Sequence, residues 1–528
     1  MDLYKFFSDR SIKGYAFGNK YGQNSLDNIA TALLGEGKFQ HEEEIHELSL
    51  FDLIYYNWKD SDITLQLTTF EGNIVMRLLI LFIRMTKLPL HDFYRNSIAA
   101  WIRSMLYFEH RRQNYLIPTK EDIAEQRPGG FTTSVTEGKQ FQGAYVIDPV
   151  PGRHYGVVVM DFASLYPTII KEYNLSYETI NCGHPECVNN LVPNTPYYVC
   201  TRRMGIFALL TGFFREIRIK WYKRRAGDKT LPPEERNFAA TIQSALKVFI
   251  NGSYGVFGSR TFQLFALPVG ESTTAIGRYS ILNTIQKAKD LGATVLYGDT
   301  DSIFLLQPTP EQVEGLTEWT ERELKIDLEK DKTYQFLALS SRKKNYAGIY
   351  ANGGVDIKGL TGKKKNTPEF IRKVFLDVLA TLKDVHSEDD FAAAKTAILS
   401  TIRQNVKKLE RREFPLEDFE VTVQMKKKMD SYTKTMPQHV RAAKMLQEAN
   451  AQAGTGSDME RGDTISFVKT RTKDGVKPTE FARLEDLDIP KYKEMLKSSL
   501  DQILDALDIS FDEVMGVKKI DGFFKPNK

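Results

Sequence analysis

Cysteine is scarce in this chain, with three in 528 residues. That excludes a disulfide scaffold and fits a reducing compartment. An excess of charge of one sign is lacking as well. Lys and Arg number 72 against 68 Asp and Glu, a net charge of only +4, so overall charge marks no nucleic-acid binder and any basic surface must be local. Long apolar runs are missing: the most apolar window, residues 74–83, contains Arg77 and is too short to span a bilayer. The opening residues, MDLYKFFSDR, lack the basic-then-apolar layout of a signal peptide. Internal repeats and low-complexity tracts are absent. The expectation is a cytoplasmic protein.

What is present is a folded, soluble composition, 42% hydrophobic and 27% charged, at a length that suggests roughly three or four domains. Residues 26–34 and 48–56 read as helical, and residues 61–84 as one long helix, with Ile63, Leu65, Leu67, Phe70, Ile74, Leu78 and Phe82 at helical spacing. Residues 98–107 give another helix. Pro128-Gly129-Gly130 and Pro149-Val150-Pro151-Gly152 then mark a boundary. The next unit opens with YGVVVMD, residues 155–161, a buried strand that ends in an acid.

Residues 205–226 read as a helix carrying Arg215, Arg218, Lys220, Lys223, Arg224 and Arg225, with few acids between them. A polar turn and a second helix over residues 234–251 complete a projecting helical hairpin, suited to binding an anion. Further basic blocks follow at Arg342-Lys343-Lys344 and at Lys358, Lys363, Lys364 and Lys365. From Asn366 the chain is mainly helical, with a polar loop at residues 454–462, a strand at 462–469, a helix at 490–507 and a tail from 518.

Between the basic blocks lies Tyr297-Gly298-Asp299-Thr300-Asp301-Ser302, a β-hairpin turn carrying two acids one residue apart. Two such carboxylates repel unless a cation sits between them, and Mg²⁺ favours a few carboxylates plus substrate phosphates. Taken alone, the segment is equally well a polar surface turn. Two other segments point the same way as a metal site. Asp161-Phe162-Ala163-Ser164-Leu165-Tyr166-Pro167 places an acid at a strand end before a turn into a helix, whose amides can hold phosphate oxygens. Lys247 and Tyr254, seven residues apart, fall on nearly one helical face, followed by Gly255.

These three motifs, in this order and joined by Lys344-Asn345-Tyr346, resemble those of family B DNA polymerases, most of all archaeal replicative members. The resemblance implies an α+β right-hand polymerase fold with an antiparallel-sheet palm, helical-hairpin fingers and a mainly helical thumb. It divides the chain into an exonuclease-domain remnant (1–95), palm with its entry segment (96–204 and 256–365), fingers (205–255), thumb (366–516) and tail (517–528). It implies template-directed addition of dNTPs to a primer 3′-hydroxyl with two Mg²⁺ ions, in the nucleoid. Asp161, Asp299, Asp301 and the Phe162 carbonyl would be the metal ligands, Asp301 the indispensable partner of Asp161 and Asp299 the milder one. The amides of Ser164, Leu165 and Tyr166 would contact the triphosphate, and Tyr166 would exclude a 2′-hydroxyl. Lys247 would bind the triphosphate and help protonate the leaving group, joined by Arg218 with Arg215 as its rival. Asn251, Tyr254 and Gly255 would line the nascent base pair, Lys344 and Tyr346 the primer end, and Lys358, Lys363, Lys364 and Lys365 the duplex backbone. Phe141 and Gly143 resemble the family's template-contacting Tyr-x-Gly segment, with Phe in place of Tyr. His439, in Pro437-Gln438-His439-Val440, resembles the thumb motif that grips primer-template; a packed structural histidine is the other reading.

The chain also departs from the family. Tyr56 and Asp60 resemble the last of three exonuclease motifs, and the other two are absent. One carboxylate cannot hold two metals, so no proofreading is expected from this polypeptide alone. A separate N-terminal exonuclease polypeptide, a truncation or a shortened paralogue would each account for this, and exposed apolar surface on residues 1–95 would favour the partner. Ile520, Phe523 and Phe524 resemble the end of a sliding-clamp peptide whose Gln position is Val517; docking on the chain's own thumb is the alternative. Cys182, His184, Cys187 and Cys200 could form a Zn²⁺ site, a Cys182–Cys187 or similar disulfide, or unligated thiols, and the irregular spacing favours the last. A non-catalytic DNA-binding replisome subunit is the alternative function, disfavoured by the presence of all three acids and Lys247.

Overall fold

The structure, a computed structural model, describes residues 2–9, 12–22, 24–41, 45–125, 143, 146–360, 366–425, 427, 429–432, 436–453 and 463–516. The chain forms two compact units, one of residues 1–145, 162–283 and 319–327, the other of residues 146–161, 284–318 and 328–528.

The first unit is mainly helical. Its longest helix, Leu50–Thr86, starts where the Ser49 side chain accepts the Asp52 N–H. It is not continuous, as the apolar spacing suggests. Glu71, Gly72 and Asn73 all have positive φ, which splits it into two helices. Gly and Asn tolerate that conformation, and the helical period simply resumes beyond it. By length and composition alone this helix could cross a membrane; its second half instead buries Ile74, Val75, Leu78, Leu79 and Phe82 in the unit's core. Phe82, Phe93, Trp101 and Phe249 stack there, with Phe93 and Trp101 centroids 4.4 Å apart, and so join the N-terminal helices to the helical arm.

The arm begins with Ile206–Glu216, passes through a π-helical stretch, Ile217–Lys223, and ends at Arg224–Gly227. Asp228 closes the turn by accepting from the Thr230 N–H and hydroxyl. The return helix, Pro233–Phe257, opens with proline where no N–H is needed. It runs six residues past the expected end at Asn251. The glycines at 252 and 255 suggest a stop, but buried Ser253, Val256 and Phe257 continue the apolar face.

The second unit holds a six-stranded antiparallel sheet: β1 (Gly152–Phe162), β2 (Thr294–Asp299), β3 (Ser302–Leu306), β4 (Leu328–Leu339), β5 (Tyr346–Tyr350) and β6 (Val355–Lys358), in spatial order β2-β3-β1-β4-β5-β6. Val157, Val159, Leu296, Tyr297, Phe304, Leu337 and Tyr346 fill one of its cores. A second core joins Phe336, Ala347 and Ile349 to the helices Glu369–Ala380, Glu388–Glu410 and Ile489–Leu504. The strand expected near residue 464 is β8 (Thr464–Lys469), flanked by β7 (Val421–Gln424) and β9 (Val476–Pro478). This small sheet packs on Val440, Ala442 and Ala443 of the helix Gln438–Ala453.

Candidate active site

In the second unit, register decides where the acids stand. Asp161 on β1 and Asp299 on β2 are both paired with Ser302 on the strand between them. Directly opposed residues face the same side of a sheet, so both carboxylates rise from one face with backbones about 9–10 Å apart. Asp301 sits in the two-residue turn, where Thr300 takes φ 62° and the Asp301 N–H reaches the Asp299 carbonyl at 2.6 Å.

The electrostatics follow from this crowding. Asp299 is 8% exposed and pairs with Lys344, whose Nζ lies 2.6 Å from Oδ1. Thr300 Oγ1 donates to the same oxygen at 3.1 Å. Asp301 keeps exposed surface, yet burial of its carboxyl, and then the Asp299 charge, push its pKa above the ordinary Asp value; Lys358 and Lys344 pull the other way. The donor set is hard oxygen with more negative charge than the lysines neutralise, which fits divalent cations of the Mg²⁺ type.

Lys344 is held by its backbone. Its N–H donates to Tyr297 Oη at 2.8 Å and its φ is 61°. A Cβ at Gly359 would lie 1.9 Å from the Lys344 carbonyl oxygen, so only glycine fits there. Tyr346, paired with Lys358 across β5 and β6, is buried, which pushes its phenol up to about 12.

The first unit carries the residues expected at the nucleotide. Phe162 is buried, and Ser164 takes the left-handed conformation, φ 56°, at the cap of the helix Leu165–Glu172. Arg218 donates to Ser164 Oγ at 3.0 Å. Arg215, its rival, is 8% exposed and pairs with Asp327 at 2.8 Å. The rings of Tyr166 and Tyr254 are 4.8 Å apart. Lys247, Asn251 and Gly255 are exposed along the return helix, and a Cβ on Gly255 would meet nothing within 4 Å.

Some residues here carry no motif. Asp327 pairs with Arg215 at 2.8 Å. Gly277 backs Tyr166, since a Cβ there would lie 3.1 Å from its Cε1. Arg278 lies in the field of Tyr166 and Tyr254 and donates to the Gly143 carbonyl at 2.8 Å. No periodicity or spacing flags any of the three.

The remaining expected residues fall elsewhere. His439 opens the helix Gln438–Ala453, edge-on to Tyr432 at 6.0 Å. Tyr56 and Asp60 share one cation: Lys38 Nζ lies 2.8 Å from each. Phe141, Lys363, Lys364, Lys365 and the tail residues Val517, Ile520, Phe523 and Phe524 lie outside the described residues. Cys182, His184, Cys187 and Cys200 converge, each offering a ligand atom within 4.8 Å of the others, and the three thiols form no disulfide.

An antiparallel sheet with three acids at one strand-and-hairpin junction, in a chain that also carries a basic helical arm, is the α+β polymerase fold. The family model for DNA polymerase family B matches residues 88–507, and the chain belongs to that family. It is 42% identical to DNA polymerase 1 of Saccharolobus solfataricus, covering all of this chain and 60% of that relative. Against DNA polymerase 1 of Aeropyrum pernix the identity is 41%, over 99% of this chain and 54% of the relative. The solved family B DNA polymerase of the hyperthermophilic archaeon Pyrobaculum calidifontis superposes with a TM-score of 0.61 at 26% identity, covering 94% of this chain and 62% of that one. The chain therefore spans about 60% of the length of the relatives it matches. Polymerases of this family generally use divalent metal ions.

Proposed function

We propose that the chain is the polymerase part of a DNA-directed DNA polymerase, extending a primer 3′-hydroxyl with dNTPs under template direction. The observation that carries this reading is the shared pairing of Asp161 and Asp299 with Ser302, with Asp301 in the adjoining turn. Asp161 and Asp301, with the carbonyl of the following Phe162, would hold two divalent ions, Mg²⁺ by donor chemistry, and Asp299 would tune the site. When bound, such ions activate a hydroxyl and stabilise phosphoryl charge.

The protein's own groups do the positioning. The turn amides at Ser164 to Tyr166, together with Arg218 and Lys247, bind the triphosphate, and Lys247 would give a proton to the leaving group. Tyr166 closes the space beside the sugar. Asn251, Tyr254 and Gly255 face the base pair. Lys344, Tyr346 and Lys358 hold the primer strand. Primer extension with Mg²⁺ and dNTPs tests the reading. Asp161→Ala and Asp301→Ala should abolish extension with primer-template binding near normal, and more than about a hundredth of wild-type extension would overturn the assignment.

A partner module is supported by a separate observation. The first half of the Leu50–Thr86 helix exposes Leu50, Phe51, Ile54, Trp58 and Leu65, with Phe51 78% and Trp58 56% exposed. Such a patch marks a docking face, and we infer that an exonuclease module covers it, in the nucleoid of the cytoplasm. On this chain's own side the Asp60 carboxylate is paired with Lys38 at 2.8 Å. Co-purification of a 3′–5′ exonuclease with the wild type, lost in Phe51→Ser/Trp58→Ser, is the check; no exonuclease in either would remove the inference.

A further inference from the structure

Residues 174–205 join the Leu165–Glu172 helix to the arm. The segment has little regular structure: a single 3₁₀ turn, Pro185–Cys187, and two isolated bridges, Ile180 to Val199 and Leu191 to Tyr198. Cys182, Cys187 and Cys200 form a buried cluster of their own, 9%, 0% and 3% exposed, with Tyr198 packed against it. Leu175, Tyr177, Ile180, Val192, Tyr197 and Val199 are buried in the same segment, and the thiols, poor in apolar area, add little hydrophobic anchoring of their own.

His184 completes the cluster. Its Nδ1 lies 3.5 Å from Cys200 Sγ, and the four ligand atoms lie within 4.8 Å of one another. A tetrahedral Zn²⁺ with sulfur at about 2.3 Å and nitrogen at about 2.0–2.1 Å sets an S···N edge of about 3.5 Å and S···S edges of about 3.8 Å. The His184–Cys200 pair has the S···N edge, and the other ligand atoms lie no more than 4.8 Å apart. Backbone donors already point at the sulfurs. The Thr201 N–H reaches Cys187 Sγ at 3.3 Å, its hydroxyl lies at 3.4 Å, and the His184 N–H is directed at Cys182 Sγ. Such donors stabilise metal-bound thiolates from outside the ligand shell.

We propose that Cys182, His184, Cys187 and Cys200 form a structural Zn²⁺ site that fixes the base of the arm. Three thiolates and one imidazole in a tetrahedron select zinc over the hard cations suited to the carboxylates, and four protein ligands leave no position open for catalysis. On binding, three S–H bonds give way to three Zn–S bonds and the protons pass to solvent. The connection to the arm is direct. Asn174 donates to the Cys200 and Arg203 carbonyls at 2.9 Å and accepts the N–H of Gly205, the residue that caps the first arm helix, at 2.8 Å. The inference is independent of the polymerase assignment.

The test needs no variant at the outset. The protein, purified without chelator from zinc-supplemented cells, should carry one zinc per chain by elemental analysis. Exchange into Co²⁺ should give visible d–d bands of tetrahedral thiolate coordination with a near-ultraviolet charge-transfer band. Unfolding without reductant should then release three titratable thiols. Fewer than three thiols, meaning a disulfide, or three thiols with no stoichiometric metal after refolding in zinc, would overturn the site. His184→Ala and Cys200→Ser should lose the metal; a full zinc complement in either would also overturn it. Hydrogen exchange across residues 174–205 should accelerate when zinc is stripped, and unchanged protection would remove the anchoring role.

Discussion

Lys344 Nζ lies 2.6 Å from Asp299 Oδ1, so an ammonium group stands against the carboxylate cluster as its counter-charge. A lysine and a divalent cation compete for the same negative field. Replacing Lys344 by Met should therefore tighten Mn²⁺ binding in the absence of DNA, by up to about fivefold, the worth of a partly exposed ion pair. Primer-template affinity should fall in the same variant if Lys344 also grips the primer. Titration with Mn²⁺ followed by paramagnetic resonance separates the two effects, and unchanged Mn²⁺ affinity would refute the competition.

Asp301 makes a second, pH-dependent prediction. Burial and the Asp299 charge raise its pKa above the ordinary 3.8, so the folded protein holds that proton more tightly than the unfolded chain does. Metal-free stability then falls as pH rises from 3.8 through the folded-state value. Asp301→Asn removes this penalty. The variant should melt higher than wild type in chelator at pH 7, by about a degree or more, and the two should converge at acid pH. Adding Mg²⁺ should stabilise only the wild type. A variant that melts lower than wild type at pH 7 in chelator would contradict this account.

The acids were legible in the sequence because a strand end and a hairpin turn put charge where the chain has few other conformations open to it. Asp161 and Asp299 need only strand pairing to share a face. Arg215 and Arg218 were not separable, because three residues along a helix turn into a π-helical stretch and the partner of Arg215, Asp327, lies over a hundred residues away. Gly359 and Gly277 were silent for a related reason: each matters through one close approach to a distant residue. The break at Glu71 to Asn73 was hidden by an apolar period that continues on both sides of it. The convergence of the cysteine cluster was hidden by its spacing, since loop geometry rather than spacing brings Cys200 back to Cys182.

The two arginines should behave differently when removed. Arg218, hydrogen-bonded to Ser164 Oγ at 3.0 Å, has a guanidinium at the turn whose amides would hold the triphosphate. Arg218→Ala should raise KM for dNTPs at least about tenfold, the worth of one charge-assisted contact, with the melting temperature unchanged. Arg215 is buried against Asp327. Arg215→Ala should lower the melting temperature, because truncating a buried side chain leaves a void, and its effect on KM should be smaller. Steady-state kinetics beside calorimetry for both variants decides; the reverse pattern would make Arg215 the phosphate ligand.

Tyr166 offers the last test, on sugar selection. Its ring lies 4.8 Å from that of Tyr254, and Gly277 stands behind it with no room for a side chain to shift it outward. A ring held from two sides cannot yield to a 2′-hydroxyl without displacing a neighbour. Tyr166→Ala opens that space and should raise ribonucleotide incorporation relative to deoxyribonucleotide by at least about a hundredfold, a cost of roughly 3 kcal/mol in the wild type at 1.4 kcal/mol per decade. Gly277→Ala should press on the ring from behind and lower kcat/KM for dNTPs without admitting ribonucleotides. Single-nucleotide extension with paired dNTP and rNTP gives both ratios. Unchanged sugar discrimination in Tyr166→Ala would show that another group gates the sugar, and easier ribonucleotide entry in Gly277→Ala would show that pressing the ring from behind does not keep the space closed.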